Sequence, residues 1–119
     1  MPVKIISYKG QDIVYADYSN YKQAEDMLAV LDELDQLMES TPGNFCLVSN
    51  FKKAFASKVF MQKAKELAPK HQHRFAKKAC FGLEGVQLVL LSTFNFFMKK
   101  SARTVHFSSE KEALDYLAS

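Results

Sequence analysis

Two short apolar runs, Phe45-Cys46-Leu47-Val48 and Ala79-Cys80-Phe81, stand between longer segments in which apolar residues recur at helical spacing. A short run without polar alternation is the pattern of a strand buried on both faces. Strands of this kind separated by amphipathic helices build a parallel sheet joined by right-handed crossovers. The remaining segments extend the pattern. Val3 to Tyr8 and Ile13 to Tyr18 flank Gly10 and predict a hairpin. Asn20, with Gln23 three residues on, predicts an N-cap for a helix whose inner stripe is Ala24, Met27, Leu28, Leu31, Leu34 and Met38, stopped by Thr41-Pro42-Gly43. A second helix is predicted from Phe55 to Ala68, with Ala56, Val59, Phe60, Ala64 and Leu67 inward and Pro69 as its stop. Phe75 to Leu83 and Thr104 to Phe107 predict two more strands. Ser109 and Glu112 predict the cap of a last helix that turns Ala113, Leu114 and Leu117 inward.

The expected fold is therefore α/β: a five-stranded, mostly parallel sheet with an N-terminal antiparallel hairpin strand and four helices, in one domain over 1–119. With 48% apolar and 24% charged residues, a chain of 119 residues can close a core without disulfide or metal staples. Cys46 and Cys80 each fall in an apolar run and read as free, buried thiols, which points to a reducing, cytoplasmic compartment. The opening residues pass into strand-like sequence without the pattern of a secretory signal.

The segment Val86 to Met98 is unusual. Val86, Val89, Leu90, Phe94 and Phe97 form one stripe, yet Leu88, Leu91 and Met98 leave apolar matter on the other side. Polar residues interrupt it, and it falls short of the roughly 20 residues that span a bilayer as a helix, so no transmembrane segment is expected. A helix apolar over most of its circumference needs cover beyond its own sheet. Leu88, Leu91, Phe94, Phe97 and Met98 are accordingly the expected dimer or ligand surface.

Charge is segregated although the net value is only +3. Asn20 to Ser40 holds six acids and one lysine, whereas Phe51 to Lys78 holds nine bases and one acid. Two solvated helix faces account for this, or a dipolar surface that steers a partner. The net charge does not argue for nucleic acid, and the phenylalanines of Phe51-Lys52-Lys53-Ala54-Phe55 are assigned to the core rather than to base stacking.

The succession of these signals resembles the SpoIIAA-like proteins, a branch of the STAS domains structurally related to the CRAL-TRIO lipid-binding domain. The resemblance is carried by the hairpin, the acidic first helix, and Asn44-Phe45-Cys46-Leu47-Val48 before a polar loop. It is carried further by Lys77-Lys78-Ala79-Cys80-Phe81-Gly82-Leu83 before an apolar helix, and by the ending from Val105 to Leu117. It implies a non-enzymatic, self-associating interaction module of regulatory type with a protein partner, or alternatively a carrier of a small apolar or lipid-like ligand. Phosphorylatable STAS regulators carry an Asp-Ser-Ser/Thr-Gly loop after the central strand. The matching Ser49-Asn50-Phe51-Lys52-Lys53 has neither the Asp-Ser pair nor the glycine, which leaves Ser49 and Ser57 as the only phosphorylation candidates it suggests.

No polar cluster in the sequence carries a catalytic signature. His71-Gln72-His73 lacks neighbouring partners for a closed metal site, so no metal or cofactor is expected. His106 has no specified nucleophile. Gly82-Leu83-Glu84-Gly85 lacks the third glycine of a dinucleotide turn. Ligands of parallel sheets collect beyond the strand C-termini, and that edge consists of Ser49, Asn50, Phe51, Lys52, Lys53, Gly82 and Glu84. For a carried ligand, Phe60, Met61, Phe94, Phe96, Phe97 and Met98 are the expected lining, with Lys52 and Lys53 meeting an acidic head group.

Overall fold

The computed structural model describes residues 2–119, Ser101 by its backbone only. Within them the chain runs β1 (Val3–Tyr8), β2 (Gln11–Asp17), α1 (Ala24–Ser40), β3 (Phe45–Asn50), α2 (Lys58–His71), β4 (Phe75–Phe81), α3 (Val86–Phe96), β5 (Thr104–Phe107) and α4 (Glu110–Ala118), with single 3-10 turns at Gln72–Arg74 and Lys100–Ala102. The five strands lie in sequence order, β1 antiparallel to β2 and the others parallel.

This order decides the layering. Every crossover from β2 to β5 advances one strand in the same direction, and right-handed crossovers of that kind put α1, α2 and α3 on one face. The other face is left to α4. Alternation along the strands follows suit: Val14 and Ala16 pack with Met27, Val30, Leu31 and Phe60, whereas Ile13, Tyr15, Cys46, Val48 and Ala79 pack with Ala113, Leu114 and Leu117. Cys46 thus faces α4 while Cys80 faces the three-helix side, and both are free and buried.

The acidic and basic helices meet. Asp35 of α1 accepts from His71 at 2.6 Å, and Lys70 of α2 lies 3.0 Å from the same carboxylate and also pairs with Glu39. The His71 hydrogen bond, helped by Lys70, holds the Asp35 carboxyl below the usual range. At this point the two charged segments fasten one helix to the other, while Glu25, Asp26, Asp32, Lys52, Lys53 and Lys58 lie on exposed surface.

Four expected boundaries are corrected. Asn20 does not cap α1: it has a positive φ of 67° and lies in the preceding turn, and the N-cap position falls to Gln23, without a side-chain bond. Its backbone N–H instead donates to Lys52 O at 3.0 Å, so tertiary pairing of two loops overrides the local cap. Pro69 does not stop α2, which continues to His71; a proline this close to the end forfeits few helical bonds, and the Gln72 N–H still returns to Ala68 O. The helix also begins three residues later than expected, at Lys58, because Ser57 Oγ accepts the Phe60 N–H at 3.2 Å and supplies the cap. Strand β3 reaches Asn50, so Ser49 belongs to the strand and not to the loop after it.

A clasped helix over an apolar cavity

Between α1, α2, α3 and the sheet lies a cavity of about 130 Å³. Its origin is a run of small side chains. The inward stripe of α2 alternates Phe60 and Leu67 with Ala64 and Ala68, the loop before it adds Ala56, and the strands beneath contribute Leu47, Ser49, Lys78 and Thr104. Alanine, serine and threonine at these places leave volume that Met61, Leu91 and Phe94 border but do not fill. Tyr18 forms one end, stacked on Phe51 at 4.8 Å and edge-on to Phe60 at 5.2 Å.

The roof is α3, and its attachment is peculiar. None of its residues is buried, although seven of the eleven are apolar. Gln87, Leu91 and Phe94, spaced one and two turns apart, point to the cavity, while Val86, Val89, Phe96 and Phe97 point outward and are 59% to 77% exposed. Two side-chain amides fasten it, beside the half-buried Leu90, Leu91 and Phe94 and a hydrogen bond from Arg103 Nε to Asn95 O at 3.0 Å. Near the N-terminus, Gln87 Nε2 donates to Ala54 O at 3.1 Å and its Oε1 accepts from the Ala56 N–H at 3.4 Å. Near the C-terminus, Asn95 Nδ2 donates to Thr104 O at 2.8 Å and its Oδ1 accepts from the Thr104 N–H at 3.0 Å. Each amide satisfies a backbone donor and acceptor at once, replacing the packing that the helix lacks. Gln87→Ala and Asn95→Ala are thus expected to speed amide exchange in 86–96 by about tenfold, the loss of roughly 1 to 2 kcal/mol of local closure. Exchange in α4, measured in the same samples, should stay unchanged; equal acceleration of both helices would contradict the clasp.

The adjacent lysines of β4 show how differently the two faces treat charge. Lys77 faces α4, and its Nζ donates to Tyr116 O at 3.1 Å and Ser119 O at 2.8 Å, closing the end of that helix. Lys78 faces the cavity and is 7% exposed. Burial, with no acid set against it, lowers its pKa. Its register partners are Leu47 and Thr104.

The strand-end loops are bound into one another. Gly82 has a φ of +92°, and a Cβ there would lie 2.5 Å from Lys52 N. Phe51 N–H donates to Phe81 O at 2.9 Å, and His106 Nε2 accepts from the Leu83 N–H at 3.3 Å. Burial lowers the His106 pKa, in keeping with a neutral ring that accepts this bond. Its stabilising effect is full above the unfolded value near 6.5 and is lost as pH falls from there through the folded value.

The predicted site residues are therefore distributed as follows. Ser49 is buried in β3 and lines the cavity, with Phe51 at its edge, while Lys52, Lys53 and Glu84 are exposed. Asn50 donates to Tyr15 Oη at 3.2 Å and accepts from the Lys52 N–H at 3.0 Å. Phe60, Met61 and Phe94 line the cavity, whereas Phe96 and Phe97 face solvent and Lys65 Nζ sits 3.9 Å over the Phe97 ring. Leu88 is 38% exposed, Leu91 and Phe94 turn inward and Met98 is buried, so the five residues do not make one surface. Lys78, Gln87 and Thr104 were not singled out from the sequence. Among the described residues no three His, Cys, Asp or Glu side chains converge on a metal position, and no helix is long and apolar enough to cross a membrane.

An acid, a base and a hydroxyl do border the cavity, but not together. His71 closes α2 at the end of the sheet where Phe45 pairs with Phe75, and Ser49 lies four residues further along β3. At about 3.3 Å per strand residue the hydroxyl is some 13 Å further along the sheet.

No protein-family model and no curated protein matches the chain. Among solved structures, an uncharacterised protein of the DUF3478 family from Shewanella loihica PV-4, described as having a SpoIIAA-like fold, superposes with a TM-score of 0.70 at 16% identity. The match covers 97% of this chain and 91% of that one. At this identity the likeness is one of fold, and the fold is SpoIIAA-like.

Proposed function

We propose that this SpoIIAA-like domain is a non-enzymatic binding module that takes a small, largely apolar molecule beneath α3 and meets a second copy of itself with the outer side of that helix. The observation that carries the reading is α3 itself, an apolar helix with no buried residue, clasped by Gln87 and Asn95 over an unfilled apolar space. Natural cores close to near-crystalline density, so an unfilled space under a loosely attached helix is suited to being filled by something else. Its size favours a small occupant: an apolar cavity of about 150 Å³ accepts benzene. A long acyl chain would have to extend out past α3.

Self-association is favoured by a separate observation. Val86, Val89, Phe96 and Phe97 are all more than half exposed on one helix, and contiguous apolar surface of this kind commonly marks an interface. The inner and outer faces of α3 belong to the same short element, which lets an occupant bias the dimer through the helix's position. Regulation in this module would consist of that coupling.

Two measurements test the reading. Light scattering at micromolar concentration should give a dimer mass, reduced to monomer by Val89→Glu with Phe97→Glu; a wild-type monomer would remove the self-association. Thermal melts with millimolar n-hexanol should show a raised Tm that Ala64→Phe abolishes by filling the space. A Tm insensitive to n-hexanol in the wild-type protein would remove the ligand.

A further inference from the structure

The cavity reading leaves open what chemistry its occupant carries, and Lys78 addresses that point. An ammonium in apolar surroundings is expensive unless something of opposite charge accompanies it. Lys78 is more than nine-tenths buried, opens onto the cavity from the middle of the sheet, and has Leu47 and Thr104 as its strand neighbours. Its neighbour Lys77 shows that a lysine of this strand finds carbonyl partners where the fold provides them. The acid that borders the cavity, Asp35, is already engaged by His71 and Lys70.

Building on the cavity reading, we infer that the occupant is a small monocarboxylate whose tail lies among Met61, Ala64, Leu67 and Leu91 and whose carboxylate pairs with Lys78 Nζ. The charge count selects this class. Lys78 is the sole lysine or arginine among the lining residues and the other basic one, His71, is held on Asp35, so one negative charge is matched and the second charge of a phosphate ester is left uncompensated in a nearly apolar space. Thr104, opposite Lys78 in the β4 and β5 ladder, places a hydroxyl on the same face for the second carboxylate oxygen. Size limits the tail to about six heavy atoms, by comparison with the benzene-sized cavity.

The test is a calorimetric titration of the full chain with sodium hexanoate, n-hexanol and hexyl phosphate, on the wild type and on Lys78→Met. Methionine is one atom shorter than lysine, carries no charge and relieves the buried ammonium, so the variant is expected to fold. For the wild type, hexanoate should bind about 10- to 100-fold more tightly than n-hexanol, the range for a charge-assisted hydrogen bond, and more tightly than hexyl phosphate. In Lys78→Met that preference should vanish while n-hexanol still binds, which also shows that the cavity survives. Lys78→Gln, polar but uncharged, should lose the preference as well. If hexanoate and n-hexanol bind the wild type equally, or if Lys78→Met keeps the preference, the carboxylate assignment is overturned and the cavity reading stands. Tighter binding of hexyl phosphate than of hexanoate overturns the monoanion. If neither hexanoate nor n-hexanol binds the wild type, the cavity reading itself fails.

Discussion

Gly82→Ala is expected to lower the free energy of unfolding by about 3 kcal/mol, as the sum of a conformational and a steric cost. The φ of +92° is one that side-chain-bearing residues rarely adopt. The steric part is specific to the place. An added Cβ would come within 2.5 Å of Lys52 N, 2.7 Å of Lys52 Cα and 2.9 Å of the Phe51 carbonyl carbon. These are backbone atoms, held by the Phe51 to Phe81 and Asn20 to Lys52 hydrogen bonds, and they cannot swing aside as a side chain would. Gly10 provides the internal control, because it has a φ of +82° and nothing within 4 Å of an added Cβ. Gly10→Ala should therefore cost only about 1 kcal/mol, the conformational part alone. Urea denaturation of the two variants separates the terms. Equal midpoints would mean that the two strand-end loops do not touch at Gly82.

Arg74→Met is expected to cost 2 to 4 kcal/mol, roughly the loss of two charge-assisted hydrogen bonds with partial relaxation. Helix α1 carries no basic residue in its last turn. The guanidinium of Arg74 reaches back from the turn before β4 to supply the missing donors: Nε to Gly43 O at 2.9 Å, one terminal nitrogen to Met38 O at 2.5 Å and the other to Thr41 O. Three carbonyls at the negative end of a helix are satisfied by one planar group, an arrangement that also complements the helix dipole. Arg74→Lys should recover less than half of the loss, since an ammonium restores the charge but not the fork. Full recovery by lysine in the same denaturation series would show that charge alone matters here.

Arg74 also illustrates where the sequence stops being readable. The segment from Phe51 to Lys78 looks like one basic, water-facing stretch, and its members cannot be told apart by composition. Folding separates them: Arg74 closes α1, Lys70 bridges to Asp35 and Glu39, Lys77 closes α4, and Lys78 is buried. Which neighbour a lysine meets depends on strand parity and on which crossover carries a helix over it, and neither is local. The same reason explains Asn20, whose cap-like spacing lost to a loop pairing with Lys52. Local patterns fared better where periodicity alone decides. The apolar runs around Cys46 and Cys80 became β3 and β4, and the stripe of Met27, Leu31 and Met38 became the inner face of α1. Ser109 caps α4 by accepting the Glu112 N–H at 3.2 Å, although the Glu112 carboxylate turns to the hydroxyls of Ser108 and Ser109 instead of a backbone donor.

The candidate site was legible only in outline. The surplus apolar residues of Val86 to Met98 marked α3 as a helix with two contact surfaces, and the structure gives it an inner face on a cavity and an outer face in solvent. Its inner residues Leu91 and Phe94 and its outer residues Val89 and Phe97 could be sorted only after the direction of approach to the sheet was known. The cavity arises from the absence of bulk at Ala56, Ala64, Ala68, Ser49 and Thr104, five ordinary small residues from three elements and a loop that have no common signature in sequence.

The central claim is that a small molecule occupies the space beneath α3, and side-chain methyl NMR reports on it directly. With the Met, Leu, Val and Ala methyls labelled, titration of the full chain with hexanoate should shift Met61, Ala64, Leu67 and Leu91, which line the cavity, and leave Met27 and Met38, buried on the α1 side of the core, in place. Shifts confined to Val89 and the outer face of α3, or no shifts at millimolar hexanoate and n-hexanol alike, would contradict the account.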